Sequence, residues 1–204
     1  LTYITDYGMK NNEQYYDKSF SKQTFAYEEF SNIEFEECEF VDCDFSEAKL
    51  SNCRFINCSF VRCNLSLIKI PNSRWYQVSF NESKLIGIDW TTAHWPSFHA
   101  DCELSFKHCI LNDCSWFGLT LQELTITECK LHDADFREGD FSQSSMTYCD
   151  FRHSLFMRTN LEQVDFTESS NLGIDLNNNR LSGAKFSRFE ALNLLESLNI
   201  ELVD

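Results

Sequence analysis

The chain has 204 residues, 43% of them hydrophobic and 15% aromatic, and its 17 Lys and Arg against 32 Asp and Glu give a formal net charge of −15. This composition excludes a disordered chain, and the low usage of Gly (6) and Pro (2) excludes a fold with many long loops. No segment approaches the roughly 20 apolar residues of a membrane span, and no basic-then-apolar signal opens the chain, so a soluble, cytoplasmic protein is expected.

The first 19 residues show no clear period. We expect them to form an irregular N-terminal extension, and Met9 is a candidate natural start. From Phe20 to Trp95, a large apolar residue stands at every fifth position. Neither the 3.6-residue period of a helix nor the two-residue alternation of a strand produces this spacing. The period of five instead indicates a stack of five-residue units.

Each unit has the same internal order around its large apolar centre. The residue two before the centre is typically small, and nine of the ten cysteines occupy that position. Residues two apart on an extended segment point to the same side, so both face inward, the residue between them faces solvent, and the other two turn a corner. Repetition closes a coil that pairs with its neighbours, which predicts an all-β solenoid, a parallel β-helix, with residues 20–95 as its first segment.

The first units depart from this order, because Lys18, Gln23 and Glu28 occupy the small inward position. A solenoid also needs a polar or covered end to avoid edge pairing. We therefore expect an irregular cap over Phe20–Phe30, with regular coils from about Ile33.

The number of units per coil follows less directly. With four units, residues 20 apart stack, and several outward columns then pair opposite charges, such as Glu29 with Lys49. Other columns stack like charges, such as Lys49 over Lys69, so the charges only favour a square coil. The 33 centres would then form about eight coils.

The register is interrupted between Trp95 and Phe106, where one inserted residue shifts the period. Pro96 lies at this point, and a proline removes a ladder donor, so residues 96–105 are predicted to form a register break or kink. An unbroken ladder from Trp95 to Phe106 would contradict this prediction. The period continues over a second β-helix segment, residues 106–186, in which Asn171 is the one polar centre.

The five-residue pattern stops at Phe186, and residues 187–204 carry apolar residues at helical spacing. This spacing predicts a helix that caps the last coil. The helix and tail hold more apolar surface than one small helix can hide, which predicts a self-complementary two-fold interface and hence a homodimer. The expected interface residues are Phe189, Leu192, Leu195, Leu198, Ile200 and Leu202.

Several segments outside the regular repeat carry a resemblance to a known family. They are Cys63–Pro71, Leu85–Ser97, Leu104–Asp113 and Leu195–Asp204. With the repeat, they make the chain resemble the bacterial pentapeptide-repeat proteins that protect DNA gyrase and topoisomerase IV, a group with quinolone-resistance, microcin-immunity and albicidin-resistance members. The resemblance covers roughly Phe20 to Asp204 and is strongest to the albicidin-resistance members.

The resemblance implies a right-handed quadrilateral β-helix, a head-to-head homodimer through the C-terminal helix and tail, and an acidic rod that imitates DNA. DNA gyrase and topoisomerase IV would be its partners, protected from an albicidin-like or quinolone poison. Direct binding to nucleic acid or to a membrane is not implied. Quinolone-protecting relatives from Gram-negative bacteria carry projecting loops between coils, whereas one extra residue interrupts the register here.

The distribution of charge agrees with imitation of DNA. Residues 1–47 carry 12 acids against 3 bases, residues 48–130 carry 7 against 8, and residues 131–204 carry 13 against 6. The competing interpretations are a solvated surface that keeps a solenoid soluble, and a scaffold for some other protein. The outward acids expected to form a partner-binding surface are Glu29, Glu34, Glu36, Glu37, Glu39, Asp42, Asp44 and Glu47.

The sequence does not support metal or catalytic chemistry. His99, Cys102, His108, Cys109 and Cys114 come nearest to metal-ligand spacing, but Cys109 and Cys114 are inward repeat residues, where Cys acts as a small hydrophobe. No metal, cofactor or disulfide is therefore expected. The outward acids are dispersed over regular coils and no segment walls a cleft, so a β-helical polysaccharide-cleaving enzyme is not expected either.

Overall fold

Short parallel strands stack along the chain in a computed structural model that describes residues 2–3, 8–96, 103–198 and 200. The strands are β1 (Thr2–Tyr3), β2 (Gln14–Tyr16), β3 (Lys18–Ser21), β4 (Glu29–Ser31), β5 (Glu34–Glu36), β6 (Glu39–Val41), β7 (Lys49–Ser51), β8 (Arg54–Ile56), β9 (Ser59–Val61), β10 (Arg74–Tyr76), β11 (Ser79–Asn81), β12 (Ser105–Lys107), β13 (Thr125–Thr127), β14 (Ser145–Thr147), β15 (Asp165–Phe166) and β16 (Lys185–Phe186). The helical elements are a 3₁₀-helix (Trp90–Thr92), α1 (Arg188–Leu194) and a second 3₁₀-helix (Leu195–Leu198).

The solenoid has four faces, because stacked residues are mostly 20 positions apart and each coil holds four units. We number the faces I to IV after the centres Phe20, Phe25, Phe30 and Phe35. Face I is a ten-stranded sheet in the order β1-β3-β6-β9-β11-β12-β13-β14-β15-β16, and face IV contains the sheet β10-β8-β5-β2. The pair β4-β7 and isolated parallel bridges complete the other faces. The predicted parallel β-helix of about eight coils is confirmed.

Left-handed residues form the corners between faces. The second residue after a centre has a positive φ, for example 56° at Asn32, 55° at Asn52 and 56° at Asn72. This conformation is costly for a residue with a Cβ atom, so the stack must hold it in place. Each of these corner N–H groups donates to a carbonyl of the next coil, as Asn32 does to Ser51 O at 3.0 Å.

Aromatic side chains fill the interior in vertical stacks. On face I, ring centroids lie 4.6 Å apart for Phe40 and Phe60, 5.1 Å for Phe60 and Phe80, and 5.0 Å for Phe80 and Phe106. All four residues are buried. Removing apolar surface from water contributes about 25 cal/mol per Å², so these stacks are the main stabilising element of the rod.

The small inward residues bind backbone carbonyls of the neighbouring coil. Cys63 Sγ donates to Phe40 O at 3.3 Å, while Ser73 Oγ donates to Leu50 O at 2.6 Å and accepts from Cys53 N at 3.0 Å. A buried polar group without a partner is costly, which explains why Cys and Ser share a position that also needs a small volume. The nine described cysteines are free thiols.

The regular coil begins earlier than the sequence predicts. β2 pairs in parallel with β5, and left-handed corners start at Asn12, so the expectation of irregular structure up to Phe30 is wrong. The misleading residues Lys18, Gln23 and Glu28 belong to the first coil and are half-buried or exposed. At the end of a solenoid, no full coil covers the inward positions. Polar side chains at these positions therefore reach solvent, and they form the polar end that a solenoid needs to avoid edge pairing.

The interruption after Pro96 adds six residues rather than one. Phe80 lies opposite Phe106 in the ladder, at a separation of 26 positions instead of 20. A period of five cannot distinguish an insertion of six residues from an insertion of one, because each shifts the five-residue register by one position. The structure does not describe residues 97–102, so the expected kink and division into two segments stay predictions. Ladders on faces I, II and III join the two segments through the pairs Ser79–Ser105, Lys84–Ile110 and Asp89–Ser115.

The predicted C-terminal helix is confirmed, and it closes the last coil. Leu194, which the sequence analysis did not select, is the buried residue of α1. Backbone N–H groups at the end of a solenoid have no further coil to bind and need other acceptors. Side chains of the cap supply them through Glu168 N to Ser187 Oγ (2.8 Å), Leu172 N to Glu190 Oε2 (3.2 Å) and Leu176 N to Ser197 Oγ (3.3 Å).

Candidate functional site

The predicted acidic residues encircle one coil instead of forming a patch on one face. Outward positions in successive units fall on successive faces, so Glu34 lies on face IV, Glu39 on face I and Asp44 on face II. Glu37 and Asp42 occupy left-handed corners with φ of 52° and 54°. We call the full set the acidic ring: Glu29, Glu34, Glu36, Glu37, Glu39, Asp42, Asp44 and Glu47.

Three carboxylates of the acidic ring are neutralised by the next coil. The ion pairs are Glu29–Lys49 at 3.6 Å, Glu34–Arg54 at 3.3 Å and Asp42–Arg62 at 2.7 Å, and each joins residues 20 positions apart, as expected for a square coil. Hydrogen bonds from the Arg62 guanidinium are the largest cause that lowers the pKa of Asp42.

The remaining carboxylates of the ring form no ion pair within the described residues, and they are densest at the corner between faces IV and I. Glu36, Glu37 and Glu39 lie there, and Asp17 occupies the same corner one coil earlier. A hydrogen bond to Glu37 raises the pKa of the exposed Tyr16 phenol. Sequence reasoning missed Asp17, although its 20-residue offset from Glu37 could have identified it. We call Asp17, Glu36, Glu37 and Glu39 the acidic corner.

The C-terminal cap presents an apolar face to solvent. Phe189 is 79% exposed and Leu192 46%, and Leu198 and Ile200 are also exposed, while Leu195 is half-buried. Leu202 lies outside the described residues. Large apolar side chains clustered in water mark interaction sites. The assignment of these residues to a dimer interface stays a prediction.

The structure gives the cysteines a packing role. Among the residues it describes, no group of three or more His, Cys, Asp or Glu side chains could hold a metal ion. His99 and Cys102 of the rejected metal pattern lie outside the described residues. Burial raises the pKa of the Cys114 thiol to about 12, so this side chain stays neutral and unreactive. Within the same residues, no helix has the length and apolar character needed to cross a membrane.

Solved structures with a similar fold include two of QnrB1, which is described as a plasmid-mediated fluoroquinolone resistance protein. A trypsin-treated variant of QnrB1 is 21% identical with a TM-score of 0.56, covering 98% of this chain and 95% of QnrB1. The full-length QnrB1 structure is 22% identical with a TM-score of 0.55, covering 94% and 92%. At these identities the likeness shows a shared fold.

The family comparison rests on the repeat itself. A search of curated proteins finds no match to the chain. Residues 29–100 and 100–166 match the family model described as a pentapeptide repeat region. These matches cover more than half of the chain, and they agree with the five-residue units and four-sided coils seen in the structure. The chain belongs to the pentapeptide repeat family.

Proposed function

We propose that this protein is a cytoplasmic DNA mimic that binds DNA gyrase and topoisomerase IV and protects them from a poison of the albicidin or quinolone type. The acidic corner carries the proposal, because Asp17, Glu36, Glu37 and Glu39 expose clustered carboxylates that no described cation neutralises. A basic channel that binds DNA phosphates would attract the same pattern of charge. The sequence resemblance to albicidin-resistance members supports this choice of partner.

The dimensions of the rod support the mimicry. About eight coils at a strand spacing of about 4.8 Å give an axis of roughly 38 Å. B-DNA of that length carries roughly 22 phosphate charges, and the formal charge of −15 is of the same order. The excess of acid lies in residues 1–47 and 131–204, so the two ends of the rod are more negative than its middle.

We also propose that two copies associate head to head through the apolar face of the cap, which includes Phe189, Leu192, Leu195, Leu198 and Ile200, and that Leu202, outside the described residues, contributes to the same interface. Burying a large apolar side chain contributes about 1.5–3 kcal/mol, so several such residues favour association. A second copy is the natural occupant, since a two-fold interface lets one apolar patch cover another. The acidic rings would then lie at the two tips of a longer rod.

The test is gyrase supercoiling with purified protein, with and without an albicidin-like or quinolone poison. We expect rescue of supercoiling by the parent protein and loss of gyrase binding when Glu36, Glu37 and Glu39 are all changed to Lys. A matched control changes three exposed corner acids elsewhere, Glu82, Asp113 and Glu123, to Lys. Retained binding in the first variant would show that the acidic corner is only a solvated surface, and equal loss in both would show that net charge alone matters.

The dimer is tested separately by light scattering. The parent protein should have twice the chain mass of 23.9 kDa, and Leu192→Asp should return it to the single-chain value. Leu155→Asp places the same charge at an exposed leucine on face III and should leave the dimer intact. An unchanged mass in Leu192→Asp would reject the proposed interface.

A second candidate function is a non-enzymatic interaction scaffold without a topoisomerase role. It is favoured by three exposed apolar side chains on face III, Phe117, Leu155 and Met157, among which Asp135 and Arg137 form an ion pair at 2.7 Å. DNA has no equivalent of exposed apolar side chains on its phosphate surface, so a partner other than a DNA-binding channel would explain them. No effect on gyrase or topoisomerase IV would leave this function as the better one.

A further inference from the structure

Two stacks of like charge lie on either side of one corner of the solenoid. Lys49 pairs with Lys69 on face III, and Arg54 pairs with Arg74 on face IV. Ladder partners are about 4.8 Å apart, and like charges directly opposite each other destabilise a sheet. By contrast, Asp42 and Arg62 in the same coils place an acid opposite a base. Two adjacent exceptions at the same corner therefore need a common explanation.

The charge at this corner is only partly compensated. Lys49 and Arg54 pair with glutamates of the preceding coil, Glu29 and Glu34. Neither Lys69 nor Arg74 forms an ion pair with any residue that the structure describes. Four basic side chains against two acids leave two positive charges in excess.

The next residues of the two columns do not supply the missing charge. Asp89 follows Lys69 on face III but forms no ion pair with it, since its Oδ1 accepts hydrogen bonds from Thr91 N at 3.0 Å and Thr91 Oγ1 at 2.6 Å, as the N-terminal cap of the 3₁₀-helix. Asp89 balances part of the charge on face III only. His94 follows Arg74 on face IV and supplies no carboxylate. The corner is therefore built as a cationic site within an acidic protein.

A groove with a volume of about 380 Å³ runs along the same corner. Its polar lining consists of Asn32, Asn52, Asn72, Arg54, Arg74, His94 and one carboxylate, Glu34, which pairs with Arg54 at 3.3 Å. Asn32 Nδ2 donates to Asn12 Oδ1 of the preceding coil at 2.9 Å, whereas the amides of Asn52 and Asn72 make no hydrogen bond to other described residues. The volume falls in the range of small-molecule sites, about 300–1,000 Å³. Free amide donors thus lie beside the uncompensated guanidinium.

We propose that this corner groove binds a phosphate group. The Arg74 guanidinium, which forms no ion pair with a described residue, would hold its oxygens, since the planar donor pair of Arg matches a phosphate. The Asn52 and Asn72 amides would donate further hydrogen bonds, and Arg54, paired with Glu34, would add positive charge beside them. A phosphate monoester carries a charge of about −1.5 to −2 at pH 7, so it would supply the anionic partner that Arg74 lacks. The basic residues of the groove, Arg54 and Arg74, lie in residues 48–130, where acids and bases nearly balance.

The test uses the full chain with pyrophosphate and inorganic phosphate as probes, followed by isothermal titration calorimetry and thermal unfolding at constant ionic strength. We expect saturable binding and a rise in Tm that chloride does not produce. Citrate, a carboxylate anion of comparable charge, should bind at least tenfold more weakly. Equal affinity for citrate would overturn the assignment to phosphate, and absence of saturable binding would overturn the site.

Two variants locate the site. Arg74→Gln should lower the affinity for pyrophosphate at least tenfold and, without ligand, raise the Tm, because it removes the repulsion from Arg54. Lys84→Gln makes the same charge change at an exposed position on face II and should leave the affinity unchanged. Unchanged affinity in Arg74→Gln would refute the site. If that variant does not fold, Asn72→Gly, which removes a lining amide and keeps the left-handed corner, is measured in its place and should also weaken pyrophosphate binding. These results do not depend on whether the protein binds a topoisomerase.

Discussion

Removing the ring of Phe80 tests whether the solenoid folds as one stack across the six additional residues. Phe80 is 1% exposed, and its ring lies 5.1 Å from that of Phe60 and 5.0 Å from that of Phe106, on the two sides of the insertion. A buried Phe→Ala substitution costs about 3–5 kcal/mol through lost burial and the cavity it leaves. For a chain of this size each kcal/mol lowers Tm by about 2–4 °C, so a fall of roughly 6–20 °C is expected.

The loss should appear in a single unfolding transition. Each coil of a solenoid is stabilised by its neighbours, so a defect between two joined segments weakens both. Urea unfolding followed by circular dichroism and by tryptophan fluorescence reports on both sides, because Trp75 and Trp90 precede the insertion and Trp116 follows it. In both the parent protein and Phe80→Ala, the two unfolding curves should coincide. The variant should have a lower urea midpoint than the parent and the same dependence of unfolding free energy on urea concentration.

The matched control is Phe117→Ala on face III, where the side chain is 45% exposed. It should cost less than about 1 kcal/mol. Two separate transitions in the parent protein would show that residues 20–95 and 106–186 unfold independently. A cost below about 1 kcal/mol in Phe80→Ala would show that the face I stack does not join them. Either result would refute the continuous solenoid.

Three further predictions address the internal polar contacts. Ser73→Ala should destabilise the protein by about 1–3 kcal/mol in urea unfolding, because it leaves the buried Leu50 O and Cys53 N without their hydrogen-bond partner. Hydrogen bonds from Arg137 chiefly lower the pKa of Asp135, so the stability from its ionised form is present above the unfolded pKa and is lost as pH falls through the folded value. Asp135→Asn should therefore reduce the loss of stability measured between about pH 5 and pH 2. Glu190→Ala should speed hydrogen exchange at the Leu172 amide, which loses its acceptor.

Each of these predictions has a conservative or positional control. Ser73→Cys keeps a donor of the kind found in other coils and should recover most of the stability lost in Ser73→Ala. An acid dependence in Asp135→Asn identical to that of the parent would contradict the role of the Arg137 contact. Glu190→Gln retains a side-chain oxygen acceptor and should keep the Leu172 amide slow to exchange. If Gln and Ala behave alike, the cap does not protect that amide through the side chain.

The period of five determined most of the architecture. Large residues such as Phe40 and Phe80 at every fifth position must face inward on an extended chain, and the small partner two residues earlier must do the same. That reasoning also placed the cysteines in the core as packing residues, where the structure finds Cys63 and Cys114 buried. It worked because the pattern depends only on local backbone geometry and on the volume available inside one coil.

Contacts between coils were predicted less completely. The 20-residue offset anticipated ion pairs such as Asp42–Arg62, which the structure contains. It did not identify Asp17 as part of the acidic corner or Leu194 as the residue that seals the end. Asp17 lies 20 residues before Glu37, so the offset could have identified it once four units per coil were established. The burial of Leu194 depends on how the helix packs beyond the last coil, and the repeat carries no such information.

The amino-acid sequence by itself determined the unit, the direction of its side chains and the overall excess of acid. Only the tertiary structure decided the length of the insertion after Pro96, because a shift of one residue and a shift of six give the same register. It also decided that the acids form a ring and that Arg54 and Arg74 share a groove with stacked asparagines. These are properties of how four faces close and stack, and residues far apart in sequence become neighbours only when the coil is complete.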